Sequence, residues 1–163
     1  MSRYDEFDDQ TAPSVSLLVP RLVAGAMTAA VFVYGGYVLW LNKMSLEGQE
    51  DPMWPYLAPI FAGTAVLFRN LAWPAMMSRS ARRQLASANS DEERQKTKKR
   101  TYQSNLVGGL SMYEGAAFMA FTWYQFNSDA MSLAVGVVVG LLMLCDFPRQ
   151  AQYARWERRL REE

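Results

Sequence analysis

The sequence predicts an all-α integral membrane protein, a four-helix bundle with both termini on the cytoplasmic side. Three observations predict it. Charge is segregated in blocks: residues 17–41, 54–77, 105–126 and 129–147 together hold five of the 17 basic and 16 acidic residues. The blocks approach the roughly 20 apolar residues that a helix rising about 1.5 Å per residue needs to cross a bilayer core. Lys and Arg concentrate in alternate connections, which sets an orientation. Averages conceal the pattern, since 50% hydrophobic residues, 20% charged residues, a net charge of +1 and a mean hydropathy of −0.12 describe an ordinary domain. The segregation excludes a disordered chain and a nucleic-acid binder driven by positive charge.

Residues 1–16 form an acidic leader (Asp5, Glu6, Asp8, Asp9) that reads as flexible. The membrane domain then occupies 17–147. Its first span, about 20–41, contains 20 uncharged residues from Leu22 to Leu41. With an acidic leader before it, that length reads as a membrane helix and not as a cleaved signal peptide. Asp51-Pro52 is a cap signal for the second span, 54–77, which only Arg69-Asn70 interrupts. Segment 78–104 reads as a basic cytoplasmic connection of two helices joined near Ala88-Asn89-Ser90, with Ser90 and Glu93 as a capping box. The third span is 105–126, with Glu114 as its one charge. Asn127-Ser128-Asp129 then turns the chain into the fourth span, 129–147. The tail, 148–163, reads as an amphipathic basic helix with Tyr153, Trp156 and Leu160 on one face.

The connection 78–104 carries eight Lys and Arg, among them Arg82, Arg83, Lys98, Lys99 and Arg100, and the tail carries five, including Arg158 and Arg159. Between the first two spans there is only Lys43. Both termini therefore face the cytoplasm, most simply at a bacterial inner membrane, and these basic residues suit anionic headgroups.

The absence of histidine removes the commonest general base and metal ligand, and a single Cys145 excludes an intramolecular disulfide. No constellation for catalysis, metal or cofactor is evident, so the chain reads as a non-enzyme. Small residues supply close helix packing: Gly136 and Gly140 as GxxxG, Gly115 and Ser111 on span three, and Gly25, Ala29 and Gly36 on span one. These stripes suit either the monomer's own packing or a homo-oligomer or membrane-protein partner.

The two charges within spans two and three allow two readings. Arg69 and Glu114 can meet as a buried ion pair that pins two helices in register, with Asn70, Tyr113 and Ser111 completing its hydrogen bonds. Alternatively, Glu114 is a proton or cation site near mid-membrane. The run KKRTYQSNLVGGLSMYEGAAFMAF, within residues 60–126, resembles the second half of the ion-carrying hairpin of rotary ATP synthase subunit c. That resemblance implies that Glu114 matches the ion-carrying carboxylate. Phe61, Phe68, Arg69 and Trp73 stand where that family carries a dense glycine series. The chain as a whole is similar to small bacterial four-span membrane proteins of unassigned activity. The expected function is a structural or accessory subunit of a membrane complex, with a proton- or cation-coupled transport component as the alternative.

Overall fold

The computed structural model describes residues 17–43, 46 and 56–162, with only the backbone given for 159–162. The acidic leader, the Asp51-Pro52 cap signal and the side chains of Arg159 and Leu160 lie outside the described residues. Among the described residues every regular element is helical: α1 (Leu18–Leu41), α2 (Leu57–Leu67), a π-helical turn (Phe68–Ala72), α3 (Trp73–Ala86), α4 (Asp91–Asn127), α5 (Ala130–Cys145) and α6 (Gln150–Glu162).

The helix breaks have local causes. Pro74 has no N–H to give the carbonyl four residues back, at Asn70, and the helix widens into the π turn just there. Ser90 caps α4 by accepting from the Glu93 amide at 3.1 Å, and the Glu93 carboxylate takes the Asn89 amide at 2.9 Å. Ser128 closes α4 in the left-handed region, with φ of 52°, and Asp129 opens α5 by accepting from the Ser132 amide at 2.7 Å. Pro148 follows the end of α5, and α6 departs at 78° to it.

α4, 37 residues and roughly 55 Å long, is the axis against which α1, α2, α3 and α5 pack. The contacts give the directions. Along α1, Gly35 and Asn42 meet Phe121 and then Tyr124, so α1 runs parallel to α4. Along the second strand of helix, Asn70, Arg69 and Trp73 meet Tyr113, Gly109 and Gly108, so it runs antiparallel. α5 returns antiparallel through the Ser128 turn. The result is an up-down-up-down bundle, with the start of α1, the α3–α4 connection and α6 gathered at one end.

Packing is knob into gap. The Phe121 ring lies between Gly35 and Gly136, where an added Cβ on either glycine would come within 2.7 Å of it. Gly140 faces Phe32 and Val31. Ala24, Ala62, Ala116 and Ala117 fill the rest of a core completed by Leu110, Val139 and Met143. Polar contacts cross-link it. Tyr34 shares a 2.9 Å hydrogen bond with Thr122, and the Asn42 amide donates to the Tyr124 carbonyl at 3.0 Å and to Ser128 Oγ at 3.3 Å.

The small-residue stripes, which suit packing either within the monomer or against a partner, divide between inner and outer faces. Ser111 and Gly115 lie exposed on the outer face of α4, where nothing approaches Gly115 within 4 Å. The stripe of Gly25, Ala29 and Gly36 on α1 likewise faces outward or to the flank, and the buried stripe is Ala24, Thr28, Val31, Gly35 and Val38. Smallness alone does not choose the interface; a bulky partner such as Phe121 does.

Candidate functional site

A group of polar residues gathers where the π turn, the first part of α4 and the α5–α6 corner meet. Arg69 projects from the π turn across Gly109 of α4, close enough that a Cβ at that position would collide with its guanidinium. Its NH2 reaches Asp146 Oδ2, at the end of α5, at 3.3 Å. The Trp73 ring lies on Gly108 in the same way and donates from Nε1 to the Asn105 carbonyl at 3.0 Å. Two adjacent glycines on α4 therefore admit the two large side chains that anchor α3 and the π turn. Arg21 of α1 closes the corner by donating from Nε to the Pro148 carbonyl at 3.3 Å.

Arg69, Asn70, Pro74, Tyr102, Asn105, Asp146, Gln152, Arg155 and Trp156 surround a cavity of about 440 Å³. One wall is aromatic: Tyr102 meets Tyr153 edge-on with centroids 4.9 Å apart, and Trp156 lies 5.5 Å from Tyr102. Burial pushes the Tyr102 hydroxyl above its ordinary pKa, reinforced by Tyr153 and Asp146; burial and then Glu157 do the same to Tyr153. On three of the residues that line the cavity a polar atom, Arg69 Nε, Tyr102 OH or Asn105 Oδ1, is buried with no hydrogen-bond partner among the described residues.

The expected Arg69–Glu114 pair does not form. Glu114 lies five residues beyond Gly109, which turns it roughly 140° around α4 and moves it about 7.5 Å along the axis. It is half-buried on the flank of the helix and has no ion pair among the described residues. Asn70 does donate to Tyr113 OH, at 3.3 Å, while Ser111 bonds only the Val107 carbonyl of its own helix, at 3.0 Å.

The basic residues divide. Lys98 is bound to Glu157 of α6 at 2.9 Å, and Arg82 is half-buried beside α4. Arg83, Lys99, Arg100 and Arg158 are exposed, and the Arg159 side chain is outside the described residues. On the aromatic face of α6, Tyr153 and Trp156 pack with Tyr102 and Leu17. No group of three or more Cys, Asp and Glu side chains converges among the described residues in a way that could hold a metal ion.

Asp146, Tyr102 and Asn105 are the residues that the sequence did not single out for this place. Asp146 lies three residues before Arg149, and the sequence alone offers either that arginine or the basic central segment as its partner. A clue lay in the Gly108-Gly109 step, which marks where α4 admits bulk from a neighbour. Comparison with protein families, with curated proteins and with solved structures finds no match for the chain.

Proposed function

We propose that the chain is a multi-pass membrane protein, crossing the bilayer four times with both termini cytoplasmic, and that it acts as a structural or accessory subunit of a membrane complex. Among the described residues one helix, Leu18–Leu41, is long and apolar enough by itself to cross a membrane. The observation that carries the four-span reading is the distribution of bulk and charge over the whole bundle. Its interior combines alanine, glycine and a few rings with a small number of aliphatic side chains, while many further large apolar side chains point outward: Val33 and Trp40 at 72% exposure, Leu71 at 71%, Phe126 at 74%, Val138 at 55%. Only 28% of the most apolar window of α1 is buried, the opposite of a soluble core helix. Lys and Arg of the α3–α4 connection and of α6 gather at one end of the bundle, as the positive-inside rule requires.

An accessory role is supported by where the polar contacts go. Tyr34, Asn42, Asn70, Trp73 and Arg69 all hold one helix to another. The outer faces at Gly25, Gly36 and Gly115 leave room for close approach by a further helix. Reporters fused after Ser90 and after Ser128 test the topology: the first is expected inside and the second outside, and the reverse overturns the orientation. Mild-detergent extraction from the native source is expected to yield a particle larger than the monomer; recovery as a monomer under conditions that preserve other complexes would sink the accessory role.

A second reading rests on Glu114, a carboxylate within a proposed span that has no ion pair among the described residues. In that reading it couples proton or cation movement.

A further inference from the structure

The cavity beside Arg69 has the charge and the idle hydrogen-bonding capacity of an anion site. Two guanidinium groups, Arg69 and Arg155, border it against one carboxylate, Asp146, so an uncompensated positive charge faces a partly enclosed space. Arg69 commits one nitrogen to Asp146 at 3.3 Å, while its Nε is buried without a partner among the described residues. Arg155 is exposed; its one bond among the described residues runs from Nε to the Ala151 carbonyl of its own helix, at 3.3 Å, which leaves both terminal nitrogens available. Tyr102 is only 4% exposed, borders the cavity, and has an idle hydroxyl. Buried polar groups left unpaired are costly, so unpaired atoms on three residues that line one cavity point to a ligand that pairs them.

Arginine and tyrosine donors select an oxyanion. The space, about 440 Å³, is far larger than the roughly 30 Å³ share of a water or a bare inorganic ion and lies within the usual range for organic ligands. Asn105 Oδ1 adds an acceptor, which matches a hydroxyl carried by the same molecule.

We propose that this cavity binds a phosphate ester bearing a free hydroxyl, with Arg69 and Arg155 holding the phosphoryl oxygens and Tyr102 donating to them. The ester is either the headgroup of an anionic phospholipid or a soluble phosphate ester. The lipid source rests on the four-span reading, which puts the cavity at the cytoplasmic interface, where basic pockets between helices meet headgroups. The soluble source does not.

The test uses the full chain purified in a maltoside detergent, with short-chain phosphatidylglycerol and glycerol 3-phosphate as separate probes and thermal unfolding as the readout. A saturable rise in unfolding temperature with the lipid alone assigns a headgroup site. A rise with both probes assigns a site for the phosphate ester itself. In either case Arg155→Gln, on an exposed position, and Tyr102→Phe, which removes only the idle hydroxyl, are each expected to weaken apparent affinity about tenfold, the effect of losing one hydrogen bond to a charged group. No saturable response to either probe, or responses unchanged in both variants, overturns the proposal. If the fusion reporters reject the four-span topology while glycerol 3-phosphate still binds with this dependence, the membrane reading fails and the site stands.

Discussion

Gly109 shows how much one missing methyl group decides. The Arg69 guanidinium occupies the space that any Cβ at this position would take, and the reach from the π turn to Asp146 depends on that passage. Gly109→Ala is expected to cost about 1–3 kcal/mol, the range for inserting bulk into a filled site. In the Arg69→Met background, where the flexible side chain yields, the cost should fall by at least half; additive costs in a thermal-unfolding double-mutant cycle would show that the two residues are not coupled. Removing Asp146 tests the pair from the other side. Its side chain is 33% exposed and that of Arg69 15%, so the loss on Asp146→Asn should fall between the roughly 0–1 kcal/mol of surface pairs and the roughly 3–5 kcal/mol of buried ones. That Arg69 needed a partner was legible in the sequence. Which carboxylate it would meet was not, because Glu114 and Asp146 lie at similar reach from it in any helix-length estimate, and only the rotation of α4 about its axis turns Glu114 away.

At the scale of elements, α6 is held by aromatic contacts at its first turns and by the Lys98–Glu157 pair. Tyr153→Ala should therefore release α6 while leaving α1 to α5 folded, observed as several-fold faster proteolysis at Arg155 and Arg158 with little change in helix content elsewhere. The same junction responds to alkali. The folded-state pKa values of Tyr102 and Tyr153 lie above the ordinary value near 10. Both phenols are neutral in folded and unfolded chains below that value, so the docking energy is fully present there; above it the unfolded chain ionises first, and stability is lost as pH rises through the folded values. Protease protection of α6 should hold to about pH 10 and fall beyond it, and the fall should move when Tyr102 is replaced by Phe. Protection that fails near neutral pH would mean that another group controls the docking. Helix termini were the most legible feature of these elements. Ser90 with Glu93, Ser128-Asp129 and Pro148 each act through contacts within a few residues, which sequence displays directly. The docking of α6 against Tyr102 was hidden, since a face of Tyr and Trp among arginines looks the same whether it meets lipid or another helix.

Over the whole molecule, two charges were the exceptions to the charge segregation of the apolar segments 54–77 and 105–126, and the structure gives them different surroundings. Arg69 joins the polar cavity at the basic end of the bundle; Glu114 stands on the flank of α4 without an ion pair among the described residues. Glu114→Gln separates the two functional readings. If the chain is a structural or accessory subunit, the substitution should leave proton permeability of reconstituted liposomes unchanged and alter stability by no more than about 1 kcal/mol, as expected where no ion pair is broken. A wild-type proton flux that the substitution abolishes, with the fold intact, would establish ion coupling instead.

By itself the sequence determined the helical class, the breaks near Ala88-Asn89-Ser90, Asn127-Ser128-Asp129 and Pro148, and the gathering of basic residues into alternate connections, but not the π turn at Phe68–Ala72. Those properties depend on local capping, proline chemistry and composition along the chain. Only the tertiary structure decided which face of each helix turns inward and which side chains share a cavity. The helices α1, α2 and α5 are apolar around their whole circumference, so no polar stripe marks an outside, and the interface is chosen by fit between bulk and gap. Phe121 between Gly35 and Gly136, Trp73 on Gly108 and Arg69 across Gly109 are matches between distant residues, and it is they that bring Arg69, Tyr102 and Asp146 around one cavity.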